Sequence, residues 1–266
     1  MPDRDLCIDR PDPHVLRVRI DRQRTRNAYT LQICRELLMA IEQYDGDDNL
    51  RALILTGTAG SFCSGGDLRS RDEVELAEQR QLGHAMVMRE GMHRVVLALH
   101  RLDKPVIAAV NGIAVAGGLT LALSCDFRLG SDDARMGDSS GRVGLLPDEG
   151  GAWLFPRTMG YDKALRMTLL HEIYDAQDAL AYGLLTEVVA ADHLAARALE
   201  LARQVAAGAP LAVRVAKRMM RRATELTLEQ SLQDAELAVV AVNDSADVAE
   251  GVSAFIDKRS PHFTGR

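Results

Sequence analysis

The stretch of this chain that most constrains its fold is residues 105–126, PVIAAVNGIAVAGGLTLALSCD. It opens with a β-branched apolar segment typical of a buried strand, passes through Asn-Gly, and continues as a short apolar segment that ends at Ala116-Gly117-Gly118. We predict a helix directly after this glycine pair. A strand that leads into a helix start leaves backbone N–H groups unpaired at the positive end of the helix dipole, which suits a developing negative charge. The alternative is a buried strand-turn-helix whose glycines only allow close packing.

A second stretch, about fifty residues earlier, has the same pattern. Residues 51–68, RALILTGTAGSFCSGGDL, again carry an apolar strand into a small-residue turn, Ser64-Gly65-Gly66-Asp67. Each turn can supply one N–H group, and two converging N–H groups make an oxyanion hole. Glycine is needed in both turns because a side chain would block the approach of the backbone to a ligand. The pair therefore favours oxyanion binding over simple packing.

Together with three later segments, these turns resemble the crotonase (enoyl-CoA hydratase/isomerase) superfamily. The later segments are GLLPDEGG at 144–151, DAQDALAYGLLTEVV at 175–189 and EGVSAFIDKRSPHF at 250–263. The resemblance covers nearly the whole chain in order. It implies an α/β fold, a crotonase-like spiral of repeated ββα units over residues 1–200 that carries the acyl-CoA site. A helical C-terminal region, residues 201–266, would form trimers.

The order of predicted elements favours the same spiral. Strand, strand and helix recur along the first half of the chain, whereas no G-x-G-x-x-G follows a strand and no G-x-x-x-x-G-K-[ST] occurs, so dinucleotide and P-loop chemistry are not supported. After a charged segment at 73–80, one long helix is predicted over residues 82–102. By resemblance this helix walls the acyl pocket, and its methionines suit an adaptable wall, although core packing explains them as well. The later helices are predicted at 175–182, 191–206, 211–222, 226–242 and 246–258.

Composition narrows the class of protein. The 266 residues fit one large domain, or one domain with a helical appendage, and the 47% apolar content can build a sizeable core. A net charge of −6 and a pI near 5.7 argue against a nucleic-acid surface. The four cysteines show no C-x-x-C spacing, which indicates reduced thiols in the cytoplasm and no metal site. The N-terminus has no apolar leader and no stretch of eighteen apolar residues exists, so neither secretion nor a membrane association is expected.

The resemblance implies that the substrate is an acyl-CoA thioester. Coenzyme A is then part of the substrate, and no separate cofactor is expected. The thioester carbonyl oxygen would accept hydrogen bonds from the N–H groups of Gly66 and Gly117. The basic loop at 21–27, DRQRTRN, would contact the CoA phosphates and adenine, although charge runs are usually solvated surface turns. The substrate-binding residues implied in these regions are Arg24, Arg26, Ala28, Ser64, Gly65, Asp67 and Leu68.

The C-terminal tail is implied to reach a neighbouring subunit. Phe255 and Lys258 fall where family members present an aromatic ring and a cation to the CoA of that neighbour, within a homotrimer or a dimer of trimers. The alternative is an amphipathic helix end with a solvated charge.

The acid/base residues depart from those of a standard hydratase. Such enzymes use two glutamates to hold and split a water molecule. Aligned without gaps, those positions fall on Thr120 and Ser140, which we retain as substrate-binding residues only. A hydroxyl is far too weak an acid or base for this work near neutral pH, so the sequence argues against hydration by the standard route.

One carboxylate position of other branches is occupied. Asp148 falls where some enoyl-CoA and dienoyl-CoA isomerases place a single catalytic acid, and apolar neighbours would raise its pKa. Glu149 is the competing candidate, and we prefer Asp148. Because successive side chains usually diverge, we expect only one of them to face the pocket; alternatively, one of them caps the helix predicted near residue 150. The sequence thus predicts an isomerase-like proton relay, with non-standard hydration or a non-catalytic acyl-CoA-binding homologue as alternatives.

Overall fold

The computed structural model of the protein describes residues 5–70 and 73–266, and it contains two sheets. The larger sheet has six strands, which lie in the order β1 (Leu6–Asp12), β2 (Val15–Ile20), β3 (Ala52–Gly57), β5 (Val106–Val110), β7 (Phe127–Ser131) and β10 (Glu187–Val189). The smaller sheet has four strands, in the order β4 (Ser61–Cys63), β6 (Ile113–Val115), β8 (Arg135–Gly137) and β9 (Ile173–Tyr174). The β1–β2 and β8–β9 pairs are antiparallel, and the other neighbouring strands are parallel.

From β3 to β8, successive strands alternate between the two sheets, and a helical segment follows each pair. After β3 and β4 come α2 (Glu73–Leu82), α3 (His84–Glu90) and α4 (Met92–Arg101). After β5 and β6 comes α5 (Gly117–Leu123), and after β7 and β8 come α6 (Gly151–Met159) and α7 (Tyr161–Leu170). An earlier helix, α1 (Leu31–Gly46), follows the first hairpin. This is the predicted spiral of ββα units, and the prediction is confirmed.

The central strands are buried on both faces because helices and the second sheet cover them. All five residues of β5 are buried and apolar, as expected for a parallel strand in the middle of such a fold. One hydrophobic cluster is formed by residues of both sheets and of the helices that pack on them, and it includes Phe62 and Phe155. A second lies on the outer face of the large sheet, where α9 (Leu194–Ala206) packs through Ala198 and Ala202. The small alanine side chains allow this helix to approach the sheet closely.

The predicted helix over residues 82–102 is wrong as a single element. The chain is interrupted at Gly83, where φ is 74°, and at Gly91, which separates α3 from α4. Glycine tolerates the backbone angles that a helix interior does not allow. The charged segment at 73–80, for which the sequence predicts no helix, forms α2. The sequence predicts no helix over α7 either.

The C-terminal region is helical, as predicted. It holds the end of α9 and the helices α10 (Pro210–Ala223), α11 (Leu228–Val242) and α12 (Ala246–Asp257), and α8 (Ala176–Ala181) precedes it. Residue 200, the predicted domain boundary, lies within α9, and the division into two domains stays a prediction. Within the described ranges, no helix is both long enough and apolar enough to cross a membrane.

Candidate active site

The turn at Gly66 is held by the backbone of Tyr29. The N–H of Tyr29 donates to the carbonyl of Gly65, and the N–H of Asp67 donates to the carbonyl of Tyr29, both at 2.9 Å. In this parallel bridge the N–H of Gly66 points away from Tyr29. Within residues 5–70 and 73–266, no acceptor is bonded to it.

The turn at Gly117 is the start of α5. As the first helical residue, Gly117 has an N–H without an intrahelical partner. Ala116 precedes it with φ 51° and ψ −125°, a strained conformation for a residue with a side chain, and this turns the chain from β6 into the helix. A Cβ added at Gly65 would lie 3.6 Å from the Gly117 nitrogen, so the two turns are adjacent. That their N–H groups bind an oxyanion stays a prediction.

Beside the two turns lies a cavity of about 620 Å³, a size typical of small-molecule sites. Side chains of α2 and α3 form one wall, among them Met88, whereas Met92 belongs to the core. Thr120 is fully buried and does not line the cavity. Ala116 lines the cavity, whereas the adjacent Gly117 does not. The predicted site residues that line it are Ser64, Gly66, Asp67, Leu68, Ser140, Asp148 and Glu149.

The two candidate carboxylates have different environments. Asp148 is exposed at the rim of the cavity, and its backbone carbonyl is 2.8 Å from Nε2 of His93. Glu149 is buried, and its Oε1 accepts a 2.8 Å hydrogen bond from the hydroxyl of Tyr29. Neither side chain caps α6, whose N-cap is Gly150. The geometry therefore favours Glu149 over Asp148 as the candidate for the proton relay, which reverses the order preferred from the sequence.

Burial changes the proton affinity of Glu149. It raises the pKa of this carboxyl from 4.5 to about 7, because the charged form loses solvation. The hydrogen bond from Tyr29 lowers the pKa, and the nearby Asp148 carboxyl raises it. A group with a pKa near 7 is suited to both accept and return a proton near neutral pH. Its second oxygen, Oε2, is buried and makes no hydrogen bond to any described residue.

Two further residues that organise this site were not anticipated from the sequence. Tyr29 contacts Glu149 across 120 positions of the chain, and no local pattern signals such a contact. Arg22 donates to Asp67 at 2.9 Å and to the carbonyl of Ala28 at 2.7 Å, which ties the basic loop to the Gly66 turn. Asp67 is thus occupied by an ion pair within the protein, and its side chain is only 5% exposed.

The residues of the basic loop and of the C-terminal tail that are expected to contact CoA do not line the cavity. Arg24 and Arg26 are exposed and Ala28 is buried in the loop beside it. Phe255 is 86% exposed on α12, and Lys258 lies exposed at the end of that helix. Their roles stay predictions.

Comparison with known proteins establishes what this chain is similar to. A sequence model of the family described as enoyl-CoA hydratase/isomerase matches residues 12–266. The 1,2-epoxyphenylacetyl-CoA isomerase of Escherichia coli K12 is 34% identical over 262 residues, which cover 98% of this chain and 99% of that protein. The 2,3-dehydroadipyl-CoA hydratase of the same organism is 32% identical over 262 residues, with coverage of 98% and 99%. The crystal structure of an enoyl-CoA hydratase from Bacillus anthracis matches with a TM-score of 0.92 at 32% identity, covering 99% of this chain and all (100%) of that one.

Proposed function

We propose that this chain, an enzyme that belongs to the enoyl-CoA hydratase/isomerase family, moves a double bond in an acyl-CoA thioester by forming and reprotonating an enolate. The single observation that carries the proposal is the buried carboxyl of Glu149 beside the turn of Gly117, with a pKa raised to about 7 by burial. Such a group takes a proton from carbon and gives it back without needing a second acid.

The proposed reaction transfers one proton and needs no other reactant. Glu149 removes a proton from C2 of a 3-enoyl thioester, and the released electron pair delocalises into the thioester. The N–H groups of Gly66 and Gly117 stabilise the negative charge on the thioester oxygen; removal of one such donor typically costs about 10²–10³ in rate. The protonated Glu149 then delivers the proton to C4, which yields the 2-enoyl thioester.

The side chains at the positions of the two hydratase glutamates support isomerisation over standard hydration. Thr120 is buried outside the cavity lining, and Ser140 presents a hydroxyl. Neither group activates water near neutral pH. The name of the E. coli 1,2-epoxyphenylacetyl-CoA isomerase is consistent with this proposal.

Hydration by a non-standard route is the second candidate. It is motivated by the E. coli 2,3-dehydroadipyl-CoA hydratase, which is similar over almost the whole chain. In this case Glu149 or Asp148 would activate a water molecule. A non-catalytic acyl-CoA-binding role, the remaining alternative from the sequence, predicts binding without turnover.

The deciding experiment incubates the protein with 2-enoyl-, 3-enoyl- and dienoyl-CoA esters in H₂¹⁸O and analyses the products by mass spectrometry. The proposal expects unlabelled double-bond isomers with the wild type and with Asp148→Asn, and a loss of about 10²–10⁴-fold with Glu149→Gln. Labelled 3-hydroxyacyl-CoA as the main product would establish hydration instead. Binding of every ester without conversion would contradict both reactions.

We also propose that the active assembly is a homotrimer or a dimer of trimers. Large apolar side chains are exposed on all three of the last helices, including Met220 on α10, Leu228 and Leu237 on α11, and Phe255 on α12. Exposed apolar groups of this size are typical of surfaces that associate. Light scattering coupled to size exclusion should give three or six times the chain mass of 29.1 kDa; a monomer would contradict the proposal.

A further inference from the structure

We infer that Tyr29 is a positioning residue, which holds the carboxyl of Glu149 against the Gly117 turn and keeps it ionised for proton abstraction. This inference rests on the proposed function and deepens it, because it names the residue that positions the proposed base and keeps it ionised.

Tyr29 is connected to both predicted oxyanion turns and to the base at once. Its backbone makes the two 2.9 Å hydrogen bonds that orient Gly66. A Cβ added at Gly66 would lie 3.4 Å from the Tyr29 hydroxyl, and one added at Gly117 would lie 2.6 Å from its ring atom Cε1. The hydroxyl itself donates to Oε1 of Glu149 at 2.8 Å. The ring therefore lies between the two glycines, with its polar end on the carboxyl.

The direction of this hydrogen bond determines its effect. Burial and the neighbouring Glu149 carboxylate raise the pKa of the Tyr29 phenol well above its usual value, so Tyr29 stays protonated and acts as a donor. A donated hydrogen bond stabilises the charged form of a carboxylate and opposes the penalty of burial. It also occupies Oε1, which leaves Oε2 as the oxygen without a partner among the described residues.

The other charged and titratable groups around Glu149 do not replace this contact. Burial raises the pKa of Cys63 to about 12, so its thiol is neutral. Asp148 acts in the opposite sense to Tyr29, because it raises the pKa of Glu149. The same cavity is also lined by Asp67, Arg80, His84 and Arg142. Within the described ranges, none of these four side chains is hydrogen-bonded to Glu149.

The test compares Tyr29→Phe with Tyr44→Phe. Phenylalanine at position 29 keeps the ring between the two glycines and removes only the hydroxyl. Tyr44 is the matched control, because its side chain is also buried and its hydroxyl donates a hydrogen bond to the carbonyl of Pro105. Tyr44 does not line the cavity. The titration of the Glu149 carboxyl is followed by ¹³C NMR on glutamate-labelled protein, with the signal assigned by its absence in Glu149→Gln. The pH dependence of kcat and KM is measured in parallel.

We expect Tyr29→Phe to raise the titration midpoint of Glu149 by about one pH unit or more, since hydrogen bonds to charged groups are the stronger kind. The kcat should fall more at pH 6 than at pH 8 while KM stays nearly unchanged. Tyr44→Phe should leave the midpoint as in the wild type. An unchanged midpoint in Tyr29→Phe, or an equal change in Tyr44→Phe, would overturn the inference.

The NMR titration separates this inference from the proposed function. If the Glu149 midpoint shifts in Tyr29→Phe but Glu149→Gln retains full turnover, the contact is real and the proposed base is wrong. If Glu149→Gln abolishes turnover and the midpoint does not move, the base stands and the role of Tyr29 is wrong.

Discussion

Oε1 of Glu149 lies against the backbone of Gly117: a Cβ added at Gly117 would come within 2.6 Å of this oxygen. The same Cβ would be 2.6 Å from the ring of Tyr29, so it has no space on that side. The proposed base and one proposed oxyanion donor are therefore adjacent in space, although they lie 32 positions apart in the chain. This contact leads to the first prediction.

Gly117→Ala should lower kcat by about 10²–10³, the range observed when one oxyanion donor is lost. The added methyl group has to displace Glu149 or Tyr29, or shift the Gly117 N–H. The control is Gly46→Ala at the end of α1, where an added Cβ meets nothing within 4 Å. Gly46→Ala should keep full activity, with stability unchanged or raised by up to about 1 kcal/mol. Steady-state kinetics on a 3-enoyl-CoA, with circular dichroism to verify folding, provide the test; a fully active Gly117→Ala would exclude the proposed hole.

The pH dependence of turnover should report the ionisation of Glu149. The base accepts a proton only when ionised, so kcat should rise with pH and level off above about 7, the pKa to which burial raises this carboxyl. Asp148→Asn removes the neighbouring charge that raises this pKa, so its rising limb should move to lower pH. A limb that stays in place in Asp148→Asn, or moves to higher pH, would show that the two carboxyls do not interact as described.

Glu149 should destabilise the fold at high pH. Its pKa is about 7 in the folded protein against 4.5 ordinarily, so the folded state favours the protonated form. The contribution of Glu149 to stability is then fully present below about pH 4.5 and is lost as the pH rises through about 7, by an amount on the order of 3 kcal/mol. Glu149→Gln removes this penalty and should be more stable than the wild type at pH 8, with a smaller difference at pH 5. Urea unfolding of both proteins at the two pH values measures the difference in their free energies of unfolding. An equal difference at pH 5 and pH 8 would argue against a buried ionisable Glu149.

Recognition of the CoA nucleotide should depend on the exposed cations. Arg24→Gln and Lys258→Gln should each raise KM several-fold for a 3-enoyl-CoA. They should not change KM for the matching acyl-pantetheine thioester, which lacks the nucleotide phosphates. Arg101→Gln on α4 removes an exposed positive charge elsewhere and serves as the control. An equal effect on both substrates would indicate a structural role for these side chains.

Local sequence patterns were sufficient to predict most of the elements. The two strand-to-glycine turns lie where the sequence predicts them, and the helices predicted at 175–182, 191–206, 211–222, 226–242 and 246–258 correspond to α8 to α12 within about three residues at each end. The break at Gly91 was missed because the apolar spacing continues across it, and an added Cβ there would lie 2.8 Å from the carbonyl of Val87. A glycine within an apolar pattern does not by itself reveal such a contact.

The sequence alone determined the spiral of ββα units and the two glycine turns, since each follows from short runs of residues whose spacing carries the physical requirement. The family followed from the resemblance of its motifs to known ones. It also confined the candidate base to two adjacent residues. Only the tertiary structure distinguished between Asp148 and Glu149, because their difference is one of solvation: Asp148 is exposed at the rim, whereas Glu149 is buried and bonded to Tyr29. Burial depends on which distant segments pack around a side chain, and the residue that bonds Glu149 lies 120 positions away.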